Sequence, residues 1–199
     1  LIKYNLDSAD QALVYANLGF AYLQNGSTEL AKETLEKALE WGWDVLQTDE
    51  LAKIELHLAE TYKGSRQVRE SFLHYEKGIH MLLSDAGMLP DDLRKVNAEG
   101  GSPDAARVRD KRTLFRLYSG RAGLIKVKGY GKPDLPSGYD PIQDYQDAFF
   151  VMDLMRADLI TPDAKNFLST YVRMVNDEAM DLFANASSFA IDAPIDFGY

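Results

Sequence analysis

Apolar residues along this chain recur at helical rather than strand spacing, and the pattern is cleanest between Val14 and Trp43. Tyr15, Leu18, Gly19 and Tyr22 fall on one stripe, and Ala31, Leu35 and Ala38 fall on a second. Asn25-Gly26 stands between them, supplying the left-handed residues that close a helix. The spacing predicts two short amphipathic helices joined by a tight turn. The first opens on a cap at Asp7 or Ser8 and runs to about Gln24. Ser27-Thr28-Glu29 restarts the chain with a cap and an acid at the positive helix end, and the second helix continues to about Glu40. Gly19 and Ala31 lack bulk where the helices are expected to cross, while Tyr22 and Leu35 fill the space beside the crossing.

The pattern returns at an offset of 40 residues, where Leu58, Ala59, Tyr62, Ser71, Tyr75 and Gly78 repeat Leu18, Gly19, Tyr22, Ala31, Leu35 and Ala38. Small residues recur at the small positions and large ones at the large. An aromatic, a leucine, a small residue and an aromatic on one helix, then Ala–bulky–Ala on the next, resembles the tetratricopeptide repeat. The usual period is ~34 residues, so about six are extra, and they sit around Trp41 to Thr48. Trp43 stands where the family often has proline.

The resemblance implies an all-α fold, an antiparallel helix-hairpin array of about seven helices with a long inserted turn and a terminal capping helix. It also implies a non-catalytic protein–protein interaction module without cofactor or metal. In proteins similar to this one, the first helix of each repeat lines a concave groove. The groove positions here are Leu13, Ala16, Phe20, Leu23 and Gln24 on the first hairpin, and Lys53, Leu56, Glu60 and Lys63 on the second. An apolar first wall suits the hydrophobic face of a partner helix or an extended peptide. One subclass of the family grips a partner's terminal carboxylate with Lys and Asn. The matching positions here are Ala16 and Phe20, which cannot do so.

Residues 1–84 thus hold two hairpins, and 85–103, punctuated by Gly, Pro and Asp, reads as a linker with a helical turn at Asp91 to Val96. A long helix is expected from about Asp104 to Lys128, with Val108, Leu114, Leu117, Tyr118, Ala122 and Ile125 as its stripe. The Gly- and Pro-rich stretch 129–141 interrupts it, and a helix resumes at Ile142 with Tyr145, Ala148, Phe149, Met152, Met155 and Leu159 on one face. Residues 104–160 therefore read as a degenerate third hairpin with an enlarged turn. Thr161-Pro162-Asp163 opens a capping helix over 161–190, with Leu168, Tyr171, Val175, Ala179, Leu182 and Phe183 buried. The segment 191–199 reads as an extended tail.

Composition narrows the function. There is no cysteine, which excludes disulfide scaffolds, thiolate zinc sites and thiol catalysis. No apolar run approaches the ~18 residues of a membrane-spanning helix; the densest, Ala148 to Met152, stops at Asp153. Net charge is −9, but nine basic residues against two acids give Pro103–Pro133 a charge of +7. An acidic protein does not suit duplex nucleic acid, whose affinity rests on neutralised phosphates. Arg109, Arg112, Arg116 and Arg121 form a basic strip, read first as the solvated face of the fifth helix and otherwise as a docking strip for an acidic protein or an anionic membrane surface. The chain opens at Leu1 rather than Met and is expected to be a processed or trimmed product, which leaves an organellar or exported destination open.

Catalytic constellations are scarce. His57, His74 and His80 offer no pair four residues apart on a helix face, and no H-E-x-x-H is present. Gly129-Tyr130-Gly131-Lys132 lacks the strand and the ending of a phosphate loop. The acids, such as Asp91-Asp92 and Asp177-Glu178, read as solvated faces and caps, and the spaced tyrosines and Met152, Met155, Met174 and Met180 as core. Two readings of function follow. The first is an adaptor or assembly factor holding a partner helix or peptide in its groove. The alternative is a permanent peripheral subunit of a large, membrane-associated or soluble complex, contacting it through loops and tail.

Overall fold

Asp7 accepts a hydrogen bond from the Asp10 amide at 2.8 Å and so starts helix α1 (Ser8–Gln24). A computed structural model of the chain describes residues 7–98, 107–126 and 135–158, together with 169, 173, 175–177, 179 and 180. Every regular element among them is helical, with neighbouring helices packed antiparallel, and no strand occurs among the described residues. α1 ends at Asn25, Gly26 takes a positive φ of 74°, and the Ser27 amide returns to the Tyr22 carbonyl at 2.9 Å. α2 (Thr28–Gly42) then runs back along α1.

The same turn recurs 40 residues later between α3 (Thr48–Gly64) and α4 (Val68–Asp85). There the Gln67 amide donates to the Tyr62 carbonyl at 2.8 Å, and Arg66 takes the left-handed conformation with φ 62°. A side chain in that region costs ~1–2 kcal/mol, which the closed turn sustains. Gln47 and Glu50 form a reciprocal capping box that sets the start of α3.

Each hairpin closes at a position without bulk. A methyl group on Gly19 would stand 2.6 Å from Leu35 Cγ, so glycine allows α1 and α2 to meet there. In the second hairpin, Ser71 Oγ donates to the Ala59 carbonyl at 2.7 Å across the equivalent crossing. The hairpins then stack: Leu35 and Ala38 of α2 form one buried cluster with Ile54, Leu58 and Tyr62 of α3. Tyr15, Ala16, Leu39 and Leu46 pack against that cluster. Tyr62 Oη donates to Glu36 at 3.0 Å, and its ring stacks on His74, which pairs with the buried Glu55.

Sequence and structure part company on α1. Leu18, placed on the core stripe with Tyr15 and Tyr22, is 42% exposed, and Val14 is 52% exposed. Their counterparts Leu58 and Ile54 are 0% and 2% exposed because α2 covers them, whereas no described helix covers the same face of α1.

The span expected to be a linker holds a further helix, α5 (Pro90–Ala98). Asp92 accepts from the Leu89 amide at 3.0 Å, Pro90 takes the first turn, and Leu93 is fully buried. The next helix, α6 (Lys111–Ala122), starts later than the predicted Asp104, because Asp110 caps it by accepting from the Thr113 amide at 2.9 Å. Its end tightens into a 3-10 turn over Gly123–Lys126. α6 lies against α4 and α3, and a methyl on Gly78 of α4 would meet Leu117 at 2.7 Å.

After a non-helical segment at 135–140, α7 (Pro141–Asp158) buries Tyr145, Ala148, Val151 and Met152. The chain divides into two compact units, residues 1–155 and 156–199. In the second unit, Ser169, Arg173, Val175, Asn176, Asp177, Ala179 and Met180 are helical. Val175 and Ala179 are buried as expected, but Met180 is 59% exposed and does not fill a gap. The expected cap at Thr161–Asp163, the tail at 191–199 and residues 129–134 of the turn at 129–141 lie outside the described residues.

Gly19→Ala tests the crossing. Helix propensity alone favours alanine by ~1 kcal/mol, but overpacking against Leu35 costs ~1–3 kcal/mol. Urea denaturation should therefore show a net loss of stability for this variant.

Candidate functional site

Phe20 projects from α1 with 36% exposure and stacks on the His57 ring of α3, with ring centroids 4.5 Å apart. One helical turn along α3, Glu60 accepts from the Arg116 guanidinium of α6 at 2.7 Å. One turn back, Lys53 lies 3.1 Å from Asp110 and 3.4 Å from Asp49. A continuous strip thus crosses three helices, from an aromatic wall on α1 through a histidine to two ion pairs joining α3 and α6. The stacking of hairpins places α1, α3 and α6 side by side and brings these residues together.

The electrostatics of the strip are unusual at His57. Burial, and then the nearby Arg116 and Lys53 charges, push its pKa down to about 4, so the ring is neutral over ordinary pH. Burial works against the Asp110 carboxylate, yet the Thr113 amide and hydroxyl together with Lys53 hold its pKa below the usual range. A neutral imidazole stacked under an exposed phenyl ring makes the centre of the strip apolar.

The predicted groove residues fall unevenly. Leu13 and Leu23 are half-buried beside the exposed Phe20, and Gln24 is exposed, so the first wall is apolar. Ala16 packs against the core cluster between the hairpins rather than lining the wall. Lys53 is exposed and Glu60 half-buried, but both are engaged with α6, and Lys63 is half-buried. Leu56, expected on the groove, is 1% exposed and belongs to the core, with α6 lying against α3.

The basic strip is not one face. Arg109 is 71% exposed and 3.8 Å from Asp85, and Arg112 is exposed. Arg116 is 25% exposed and held by Glu60. Arg121 is 8% exposed and cannot serve as a docking residue, because it makes two 2.7 Å bonds to the buried Asp144 of α7. No family model, curated protein or solved structure matches the chain.

The Arg121–Asp144 pair is the centre of a second polar cluster. Tyr139 Oη donates to Asp144 at 2.7 Å, and the rings of Phe72, Tyr118 and Tyr139 surround the guanidinium at 5.3 to 5.9 Å. One turn along α7, the buried Asp147 accepts from Arg94 of α5 at 3.1 Å and from Gln143 at 3.0 Å. Burial raises the Asp147 pKa despite these donors, while Asp144 outweighs burial to keep Arg121 firmly charged. Each charge has a fixed partner, so the cluster serves as a joint between α5, α6 and α7. Reading the acids as solvated faces missed it; the one available signal was Asp144 and Asp147 lying beside Tyr145 and Ala148 on the buried side of α7.

Among the described residues, no group of three acidic or histidine side chains gathers as a metal site, and no helix is long and apolar enough to cross a membrane.

Two measurements check these assignments. Because the folded pKa of His57 lies below its unfolded value near 6.5, the unfolded chain takes up this proton first on acidification. The contribution is intact above pH 6.5 and lost as pH falls toward 4, on the order of 3 kcal/mol. His57→Phe, which keeps a ring under Phe20, should remove that part of the stability–pH slope in urea titrations. Asp144→Ala strands a buried guanidinium and should cost ~3–5 kcal/mol. Arg121→Met combined with Asp144→Leu should cost less than Asp144→Ala alone, read from the same denaturation curves.

Proposed function

We propose that this chain is a tetratricopeptide-like helical repeat module that holds a partner's helix or extended peptide along the face of α1, α3 and α6, as a non-catalytic adaptor or assembly factor. Support for the repeat reading comes from the 40-residue equivalence of the two hairpins in turn, crossing and stacking. The single observation that carries the binding reading is Phe20, a large apolar ring left 36% exposed on top of an uncharged His57. Leu13 and Leu23 flank it on the same helix, giving an apolar wall about three turns long.

The charges beside this wall are already paired within the chain, so the partner draws its affinity from apolar contact. The Glu60–Arg116 and Lys53–Asp110 pairs form a rim that sets orientation. An aromatic anchor in a partly desolvated setting fits the profile of a binding hot spot. Gln24, exposed at the end of α1, adds a neutral hydrogen-bonding group to the same wall. The anionic-surface role assigned to the arginine strip loses Arg121 to the interior, and with it the continuity such docking needs.

Phe20→Glu places a charge on the apolar wall without touching the hairpin crossing. Capture of the partner from its native source should weaken at least ~30-fold, a loss of about 2 kcal/mol, while helical content by circular dichroism stays unchanged. Undiminished capture by the folded variant removes this face from the interaction.

A further inference from the structure

Turned away from the Phe20 wall, α1 presents a second surface. Val14 and Leu18 are 52% and 42% exposed, and Ala21 is exposed beside them. These three form a single stripe, since residues three and four apart lie over one another on a helix. The exposed Asn17 falls at the margin of the stripe, where its carboxamide stays within reach of water. On the other margin the apolar surface continues through Tyr15, whose ring meets the 40% exposed Trp41 edge-on at 4.9 Å.

Two independent observations say that this face is built to be covered. First, its counterparts one repeat later, Ile54 and Leu58, are almost fully buried beneath Leu35 and Ala38 of α2. Second, α1 carries one charged residue, Asp10, in its 17 positions, whereas a helix with a solvated side normally carries charge there. The internal contact also shows what kind of surface fits. α2 covers Ile54 and Leu58 with Leu35 and Ala38, a leucine followed three positions later by a smaller residue. Leu18 and Ala21 have that same spacing, and Val14 extends the stripe one turn back. The outer stripe of α1 therefore matches both sides of the α2–α3 contact: it is placed like α3 and patterned like α2.

We infer that the outer face of α1 is a two-fold interface, with α1 of a second copy of this chain lying antiparallel across it. A crossing centred between Asn17 and Leu18 sets Val14 of each copy over Ala21 of the other, larger against smaller. The two Leu18 side chains then flank the axis, each seated beside Val14 and Ala21 of the other copy. The lone acid of each helix, Asp10, falls opposite the neutral Asn25 rather than its own twin. With one acid per copy, set against a neutral residue, the contact adds little to the repulsion between two chains of net charge −9. Such self-complementarity is what an isologous interface requires.

Sedimentation of the full chain over a dilution series should give a species of twice 22.4 kDa that dissociates on dilution. Leu18→Glu should raise the dissociation constant at least ~30-fold with helical content unchanged. Phe20→Glu, on the other side of the helix, should leave it unchanged. Because the chain has no cysteine, introduced thiols give a second readout that does not depend on Leu18. Val14→Cys and Ala21→Cys variants, mixed and mildly oxidised, should link to each other faster than either links to itself, because a disulfide forms only where the two backbones come close. A mass of 22.4 kDa at every concentration overturns the proposal. So does a dimer dispersed by Phe20→Glu but not by Leu18→Glu, or self-linking of either thiol variant as fast as the mixed pair. Loss of partner capture by Phe20→Glu in an intact dimer, or the reverse, separates this interface from the binding wall.

Discussion

Leu35 serves two contacts at once, and the order of the first 85 residues depends on it. Within its own hairpin it packs under Gly19, where a methyl group would stand 2.6 Å away. Toward the next hairpin it joins Ala38, Ile54, Leu58 and Tyr62 in one buried cluster. The helix that closes the first pair is therefore also the surface on which the second pair is laid. Neither hairpin buries its apolar stripes alone; stacking of one on the other provides the remaining cover.

This double contact places the candidate binding strip. With α1 and α3 both held by α2, Phe20 comes to rest on His57, and α6 adds Arg116 beside Glu60. Burial and two nearby cations keep the His57 ring neutral, so an aromatic on one helix and an imidazole on the next act as one apolar surface. The strip belongs to no single helix. It exists because three helices distant in sequence are set side by side at fixed spacing.

A different kind of contact holds the later part of the first unit. There the α6–α7 contact runs through Arg121 and Asp144, with Tyr139 and Phe72 closing around the pair, and Asp147 brings in Arg94 from α5. Buried ion pairs of this kind offset their own desolvation only when the geometry is close to ideal. The two 2.7 Å bonds to Asp144 meet that condition. The apolar stacking of the hairpins sets spacing; the charged joint sets which helix occupies the next position.

The order of residues alone determined the helical class, the two hairpins, their 40-residue offset and the small positions at each crossing, because periodicity and turn chemistry are local properties. Gly26 announced its turn, whereas Arg66 did not, since its positive φ is imposed by the closed turn rather than by its own preference. A span rich in Gly, Pro and Asp read as a linker, yet α5 forms there because Leu93 finds an apolar site and Arg94 an acid 53 positions away. Likewise Leu18 and Leu58 occupy equivalent places in their hairpins, and only the presence or absence of a covering helix among the described residues makes one exposed and the other buried. The pairing of Arg121 with Asp144, and of Phe20 with His57, was decided by the tertiary structure alone. Burial and partnership depend on what lies across the interface, and that information is not carried by the neighbours along the chain.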